Sequence, residues 1–293
     1  MTSPRLALDS PYGRLYCKPE NREKLTGDFG ADVESGLLVP SVTNVIGILE
    51  KPHLYDWYAR KASEAALEVS SQHPGLISRK PHEAKRWLSG AAKRHTNAAA
   101  DLGTRIHDLC ERLASGEQDV PVAADEKPYV ESWHQFNERF QPSYLHLEKT
   151  VFGESASAEC TFGYAGTADF IAEIDGLTVV GDLKTGRSIH TEAALQLNAL
   201  AFASELIGED DAVTPTPQCH LGLVVHLAPK SFSVRMVPLA DESMLVFTKL
   251  RELWGFHTEN LISREALLMS GSLSTVSELR SELERYQEQR EAG

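Results

Sequence analysis

The chain has 293 residues, 42% of them hydrophobic and 24% charged, and its 29 basic and 42 acidic residues give a formal charge of −13. This is the composition of a globular protein, and no apolar run approaches the ~20 residues that a membrane-spanning helix requires. The acidic balance argues against broad, non-specific adhesion to nucleic acid, although it leaves room for a local basic groove.

The amino terminus lacks a basic segment followed by an apolar one, so we predict a cytoplasmic protein without a secretory signal. Residues 1–36 are rich in proline, glycine and charge and are predicted to form an irregular arm. Helical spacing of apolar residues then extends from about residue 39 to Gln72, with Ser41 and Thr43 as candidate N-caps. One or two further helices are predicted to end near Gly116, and an aromatic helix follows at 129–140.

The middle of the chain has the pattern of strands. Strands are predicted at 145–153, 165–174 and 177–186, then a helix at 190–208, then two strands at 217–228 and 231–239. The order helix, three strands, helix, two strands predicts an α/β fold with a mixed sheet flanked by helices. We expect a single domain at 37–260, with a helical part at 37–100, a core at 101–240 and a helical tail at 261–293.

Asp175-Gly176, between two β-rich runs, predicts a two-residue hairpin turn, because a type I′ turn needs positive φ at both central positions. In that register Asp169 faces Asp182 with Cβ atoms roughly 4.5–5.5 Å apart. Lys184 projects from the same face as Asp182. Two opposed carboxylates need a compensating cation, and a hard divalent ion is the better partner. Two solvated aspartates are the alternative, which the apolar neighbours disfavour.

Two further polar residues lie on predicted helices. His107 and Glu111 are one turn apart in "GTRIHDLCERL" and share a face. On spacing alone, His107 is more often a structural residue than a ligand. Gln196 interrupts the apolar stripe of "EAALQLNALAFA", and the pattern leaves open whether it is exposed or faces the sheet.

Four motifs occur in an order that resembles the PD-(D/E)XK nuclease superfamily, specifically its RecB-type and Cas4-like phage exonucleases. They are G-T-x-x-H in "GTRIH", G-T-x-D in "AGTADF", D-x-K in "GDLKTG" and the helical glutamine in "EAALQLNALA". The resemblance spans roughly Pro40 to Leu239 and implies a restriction-endonuclease-like core with a helical amino-terminal extension.

The resemblance also implies roles for individual residues. His107, Asp169, Asp182 and the carbonyl of Leu183 match the ligands of Mg²⁺ or Mn²⁺. Lys184 matches the catalytic lysine that orients the attacking water, and Gln196 matches the glutamine that places the scissile phosphate. Asp169, Asp182, Lys184 and Gln196 are therefore the expected catalytic set.

The chain departs from these relatives at two points. Many of them carry an aromatic residue four positions after the glutamine, where this chain has Leu200. Some carry four cysteines that bind an iron–sulfur cluster. Here Cys17, Cys110, Cys160 and Cys219 are widely separated, so we predict free thiols and no cluster.

A local basic stretch, "RKPHEAKRWLSGAAKRH", is the predicted DNA-binding segment. We expect Lys85, Arg86, Lys93 and Arg94 to contact phosphates. Trp87 is expected in the core, with stacking on an unpaired base as the alternative.

The leading hypothesis is a metal-dependent DNA exonuclease that acts on single- or double-stranded ends in phage recombination, replication or repair, in the host cytoplasm. Possible partners implied by the resemblance are a recombination or single-strand-binding protein and further copies of the chain. A non-catalytic DNA-binding module and a hydrolase of small phosphoesters are the alternatives.

Overall fold

The computed structural model describes residues 6–73, 75–156, 161–186 and 188–258. The predicted tail at 261–293 and Cys160 lie outside these residues. The helices are α1 (Phe29–Glu34), α2 (Val42–Ile46), α3 (His53–Gln72), α4 (Leu76–Arg79), α5 (Pro81–Ser89), α6 (Ala91–Ala114), α7 (Lys127–Phe140), α8 (Glu192–Ala201) and α9 (Asp241–Thr258), with a 3-10 helix at Pro19–Lys24. The strands are β1 (Ala7–Ser10), β2 (Gly13–Cys17), β3 (Leu38–Pro40), β4 (Ser143–Ala156), β5 (Thr161–Ile174), β6 (Leu177–Lys184), β7 (Glu205–Ile207), β8 (Val213–Pro215), β9 (Leu221–Ala228) and β10 (Ser231–Val237).

A seven-stranded mixed sheet forms the centre of the fold, in the order β10-β9-β6-β5-β4-β7-β8. The β6–β9 pair is parallel, because α8 crosses between the two strands, and the other pairs are antiparallel. This arrangement confirms the predicted mixed α/β fold and is consistent with a restriction-endonuclease-like core.

Helices cover both faces of this sheet. On one face, Ile106 of α6 and Trp133 and Phe136 of α7 pack on Phe170 and other apolar residues of the sheet. On the other face, α2, α8 and α9 bury a second cluster around Leu197. Full burial of one such side chain contributes roughly 1.5–3 kcal/mol, so both helical layers are firmly attached. No helix in the described part of the chain is long and apolar enough to span a membrane.

The amino-terminal segment is not the irregular arm that the composition predicts. β1 and β2 form a hairpin, β3 pairs with β2, and this small sheet packs on the main one through Tyr16 and Phe152. Apolar residues at 6, 15, 16 and 38 supply the buried contacts that the proline, glycine and charge of the segment obscure.

Two helix boundaries differ from the prediction. The helix expected from residue 39 to Gln72 is split into α2 and α3, because Pro52 interrupts the helical hydrogen bonding. Ser41 caps α2 as predicted, since its Oγ accepts from the Asn44 N–H at 3.0 Å. Helix α8 ends at Ala201 rather than Gly208, because residues 205–207 form β7 and pair with the edge of β4.

The predicted Asp175-Gly176 hairpin is present. Asp175 and Gly176 have φ values of +50° and +77°, and Ile174 pairs with Leu177. Strands β9 and β10 form a second hairpin at Pro229-Lys230, with Ala228 opposite Ser231.

Candidate active site

The site begins where β5 and β6 part. Their ladder ends at the pair Phe170–Gly181, where the Phe170 ring lies over the glycine. A Cβ atom at Gly181 would lie 1.9 Å from that ring, so only glycine fits. Beyond this pair, a side chain replaces the ladder bond: Asp169 Oδ2 accepts from the Leu183 N–H at 2.6 Å. Asp169 and Asp182 therefore lie at the opening between the two strands.

Asp182 is buried, and only one of its two carboxylate oxygens has a hydrogen-bond partner among the described residues. The residue is 2% exposed, and its Oδ1 accepts from Lys184 Nζ at 2.7 Å. Its Oδ2 is also buried and has no hydrogen-bond partner among the described residues. Lys184 Nζ in turn lies 3.5 Å from Gln196 Oε1, so the glutamine of α8 faces the sheet rather than solvent. The predicted catalytic residues are thus adjacent in space.

A second group of ligand atoms surrounds Asp169. His107 Nδ1, on α6, lies 3.5 Å from Asp169 Oδ2. Glu148, on β4, completes the group: one ligand atom from each of the three residues lies within 4.8 Å of the others. Leu183 is buried and its N–H is bonded to Asp169, while the role predicted for its carbonyl stays a prediction.

Glu148 is the site residue that the sequence analysis missed. Leu147 pairs with Phe170 and Lys149 with Ala168, which places Glu148 opposite Asp169. Glu148 has φ +47°, an uncommon conformation for a residue with a side chain. The signal that would have identified it is an acidic residue in the predicted strand at 145–153, next to the strand that carries Asp169.

The four ionisable groups perturb one another. Burial would lower the pKa of His107, but the Asp169 carboxylate raises it to about 9. Burial and the negative charge of Asp169 raise the pKa of Glu148 to about 8. The same two causes raise the pKa of Asp182 to about 6, although Lys184 opposes them.

Asp169 is the one carboxylate of the group whose pKa is lowered. Burial would raise its pKa, but the His107 imidazolium, the Leu183 N–H and Lys184 together keep it below the ordinary value. Bound protons and Lys184 thus offset the negative charge of the neighbouring carboxylates, and a metal cation would displace those protons.

A cleft of about 770 Å³ opens onto this group. The amino-terminal hairpin and α2 supply one wall through Arg14, Tyr16 and Thr43, and α6 supplies Glu111 beside His107. Leu200, at the position where the sequence motifs led us to look for an aromatic residue, is buried in the lining. Its Cδ2 would lie 2.6 Å from a Cβ atom at Gly166.

The predicted DNA-binding residues are all on the surface. Lys85, Arg86, Lys93 and Arg94 are exposed on α5 and α6, and their contacts with phosphate stay a prediction. The core position expected for Trp87 is wrong, since the residue is 41% exposed. The Arg94 guanidinium lies 4.2 Å from the centre of the Trp87 ring and donates to the Trp87 carbonyl at 2.8 Å. Of the cysteines within the described residues, Cys17 and Cys110 are buried and Cys219 is half-buried; all three are free thiols.

Comparison with known proteins finds no matching family model and no matching curated sequence. Among solved structures, the chain is similar to SSO0001, with a TM-score of 0.29 and 15% identity over 49% of this chain and 58% of that one. It is also similar to an alkaline exonuclease (LHK-Exo) from Laribacter hongkongensis, with a TM-score of 0.32 and 9% identity over 57% of this chain and 86% of that one. Both TM-scores are below 0.5, so the sheet order and the site geometry, rather than these matches, carry the conclusions that follow.

Proposed function

We propose that the protein is a metal-dependent deoxyribonuclease that hydrolyses phosphodiester bonds at DNA ends. The observation that carries this proposal is the convergence of His107, Glu148, Asp169, Asp182 and Lys184 at the opening between β5 and β6. A binding protein gains nothing from buried carboxylates of like charge, because their desolvation and repulsion lower the stability of the fold.

The residues present fit a divalent cation. Imidazole and carboxylate groups from α6, β4 and β5 have their ligand atoms within 4.8 Å of one another. The buried Asp182 Oδ2 is an oxygen acceptor that still lacks a hydrogen-bond partner among the described residues. We propose His107, Glu148, Asp169, Asp182 and the Leu183 carbonyl as the ligand set, with Mg²⁺ or Mn²⁺ as the ion. When bound, the ion supplies positive charge to the phosphodiester and makes a water molecule more acidic.

The remaining groups position the reactants. Lys184 Nζ, held between Asp182 Oδ1 and Gln196 Oε1, presents a positive charge beside Gln196, which lines the cleft. An ammonium group there stabilises negative charge as it develops on the phosphate and orients the attacking water. Gln196, by the same contact, is positioned to donate its amide to a phosphate oxygen.

The finer assignments rest on the motif resemblance. We propose action on linear single- or double-stranded ends during phage recombination, replication or repair in the host cytoplasm. Partners of the kinds named above, and a single nuclease domain at 37–260 with a helical tail at 261–293, belong to the same proposal. Lys85, Arg86, Lys93 and Arg94 are the proposed phosphate contacts, supported by their exposure.

The test uses end-labelled linear duplex, linear single strands and circular single strands, each with Mg²⁺, Mn²⁺ or EDTA. We expect short products from the linear substrates with either ion. Asp182→Asn should reduce the rate at least about 100-fold. The matched control is Asp241→Asn, at an exposed aspartate at the start of α9, and should leave the rate unchanged.

Other outcomes select the alternatives. Equal cleavage of circles would replace the exonuclease with an endonuclease. DNA binding without cleavage in any condition would favour a non-catalytic module, and cleavage of a small aryl phosphodiester alone would favour the small-substrate hydrolase.

A further inference from the structure

The helical layer α3–α6 differs in charge from the rest of the chain. From the start of α3 to the end of α6, residues 53–114 contain ten lysines and arginines against seven aspartates and glutamates, in a chain whose formal charge is −13. The excess of basic residues lies in residues 53–99, which contain eight against four. This layer is therefore the part of the acidic protein most attractive to a polyanion.

The same layer exposes aromatic rings. Tyr55 and Tyr58 on α3 are 65% and 48% exposed, and Trp87 on α5 is 41% exposed. Tyr55 and Tyr58 are one helical turn apart on α3, so their exposed rings form a candidate contact surface.

A groove between α3 and α6 combines the two features. It is about 480 Å³ in volume, and we call it the α3–α6 groove; it is lined by Trp57, Arg60, Lys61, Glu64, His95 and Ala99. The Trp57 ring meets the His95 ring edge-on at 5.9 Å and the Tyr58 ring at 5.4 Å, so three rings form one cluster. Glu64, which would repel a phosphate, is held by Lys61 at 2.8 Å.

We infer that the α3–α6 groove binds an unpaired nucleotide of single-stranded DNA. A base would stack on the face of one ring of this cluster and meet the other rings edge-on, and the exposed Arg60 would contact the adjoining phosphate. The inference rests on the proposed function, because it names the class of DNA that the same enzyme holds.

The rings distinguish a single strand from a duplex. In a duplex the faces of the bases are stacked on one another, so a protein ring reaches them only after paying for unstacking. In a single strand every base has a free face, and stacking is tolerant of sequence. Basic side chains alone would serve either form, and it is the ring cluster that favours the single strand.

The groove is within reach of the candidate active site along one helix. His95 and His107 are both on α6 and are separated by 12 residues, or about 18 Å at 1.5 Å per residue. A strand of a few nucleotides is long enough to contact both. Binding at the groove would then hold the strand whose end enters the cleft.

The experiment measures DNA binding by the full chain carrying Asp182→Asn. This substitution and EDTA keep the DNA probes from being cleaved. Fluorescein-labelled single strands and duplexes of about 20 nucleotides, longer than typical single-strand sites, are the probes. We expect Tyr58→Ala and His95→Ala each to weaken single-strand binding about tenfold and to leave duplex binding nearly unchanged. Both residues are exposed, so the variants should fold, which thermal melting checks.

Three further variants sharpen the result. Phe202→Ala removes another exposed ring, beside Asp241 and Glu242, and should not change either affinity. Intrinsic tryptophan fluorescence should be quenched by an oligothymidine strand. Trp57→Phe should abolish most of that quenching and keep the affinity, because phenylalanine still stacks, whereas Trp87→Phe should retain the quenching.

Three outcomes would overturn the inference: no effect of the ring variants, equal weakening of duplex and single-strand binding, or a changed oligomeric mass in Tyr58→Ala with unchanged DNA affinity. The last would assign the rings to self-association. Ring-dependent binding in a wild-type protein that cleaves no DNA would refute the proposed nuclease activity and leave the groove as inferred.

Discussion

The charged side chains at the opening between β5 and β6 are buried or partly buried, whereas those of the helical layer α3–α6 are mostly exposed. At the opening between β5 and β6, Asp182 is buried and Asp169 is partly buried, and defined partners hold each of them. In the layer, Lys85 and Lys93 project into solvent from helix surfaces. Buried charges are sensitive to small changes in geometry, whereas exposed charges act nearly independently and are screened by salt. We therefore expect the rate of DNA cleavage to depend on individual atoms of the candidate active site. We expect the affinity for DNA to depend on the summed charge of the layer α3–α6.

The largest effect should follow from removing a charge in the cleft. Glu148→Gln keeps the size of the side chain and removes one anionic ligand, so Mg²⁺-dependent cleavage should fall at least about 100-fold. DNA affinity in EDTA should not change, because the layer is untouched. Steady-state cleavage and fluorescence anisotropy measure the two quantities. Activity near that of wild type would exclude Glu148 from the ligand set.

The next effect is the pH dependence of metal affinity. With pKa values of about 9 and about 8, His107 and Glu148 both carry protons in the metal-free protein at pH 7. A metal ion must displace these protons, so affinity should rise more than about tenfold from pH 7 to pH 8. Calorimetry in two buffers of different ionisation enthalpy should record the release of about two protons at pH 7. Release of none would mean that neither residue binds the ion.

Charge reversal in the layer should have a smaller effect on DNA affinity and no effect on the chemistry of the bound substrate. Lys85→Glu with Lys93→Glu should weaken binding about tenfold at low salt. It should also reduce the slope of log K against log salt by roughly 1.4–1.8, for two lost phosphate contacts. Lys127→Glu, at an exposed lysine on α7, is the control and should leave the slope unchanged. An unchanged slope in the double variant would exclude these lysines from the DNA contact.

The smallest effect concerns the attachment of the amino-terminal hairpin to the cleft. The Tyr16 hydroxyl lies 3.1 Å from Thr167 Oγ1 of β5. Tyr16→Phe removes that hydrogen bond and should lower the free energy of unfolding by about 1 kcal/mol. Tyr55→Phe, on the exposed face of α3, should have no measurable effect. Chemical denaturation compares the two variants.

The sequence predicted the features that depend on local residue type and on the spacing of apolar residues. The Asp175-Gly176 turn was predictable because positive φ at two successive positions demands those residue types. The order of strands and helices followed from the spacing of apolar residues. Gln196 was ambiguous, because a glutamine in an apolar stripe is compatible with either face until the neighbouring Lys184 is known to lie 3.5 Å away.

The features that sequence missed depend on contacts between distant segments. Tyr144 and Leu147 both pack in the cluster beneath α7, although strict alternation would place them on opposite faces. A register shift between Tyr144 and His146 makes this possible, and it also obscured the phase of Glu148. Helix α8 ends early because the edge of β4 offers backbone partners to residues 205–207, which no local pattern records.

Gly181 has no functional group, yet the position at which β5 and β6 separate depends on it. Every other amino acid would bring a carbon atom into the Phe170 ring, and the ring would have to move. Variants at this position would thus lose activity although the proposed metal ligands and Lys184 were all still present. Inspection of the catalytic residues alone would not reveal why.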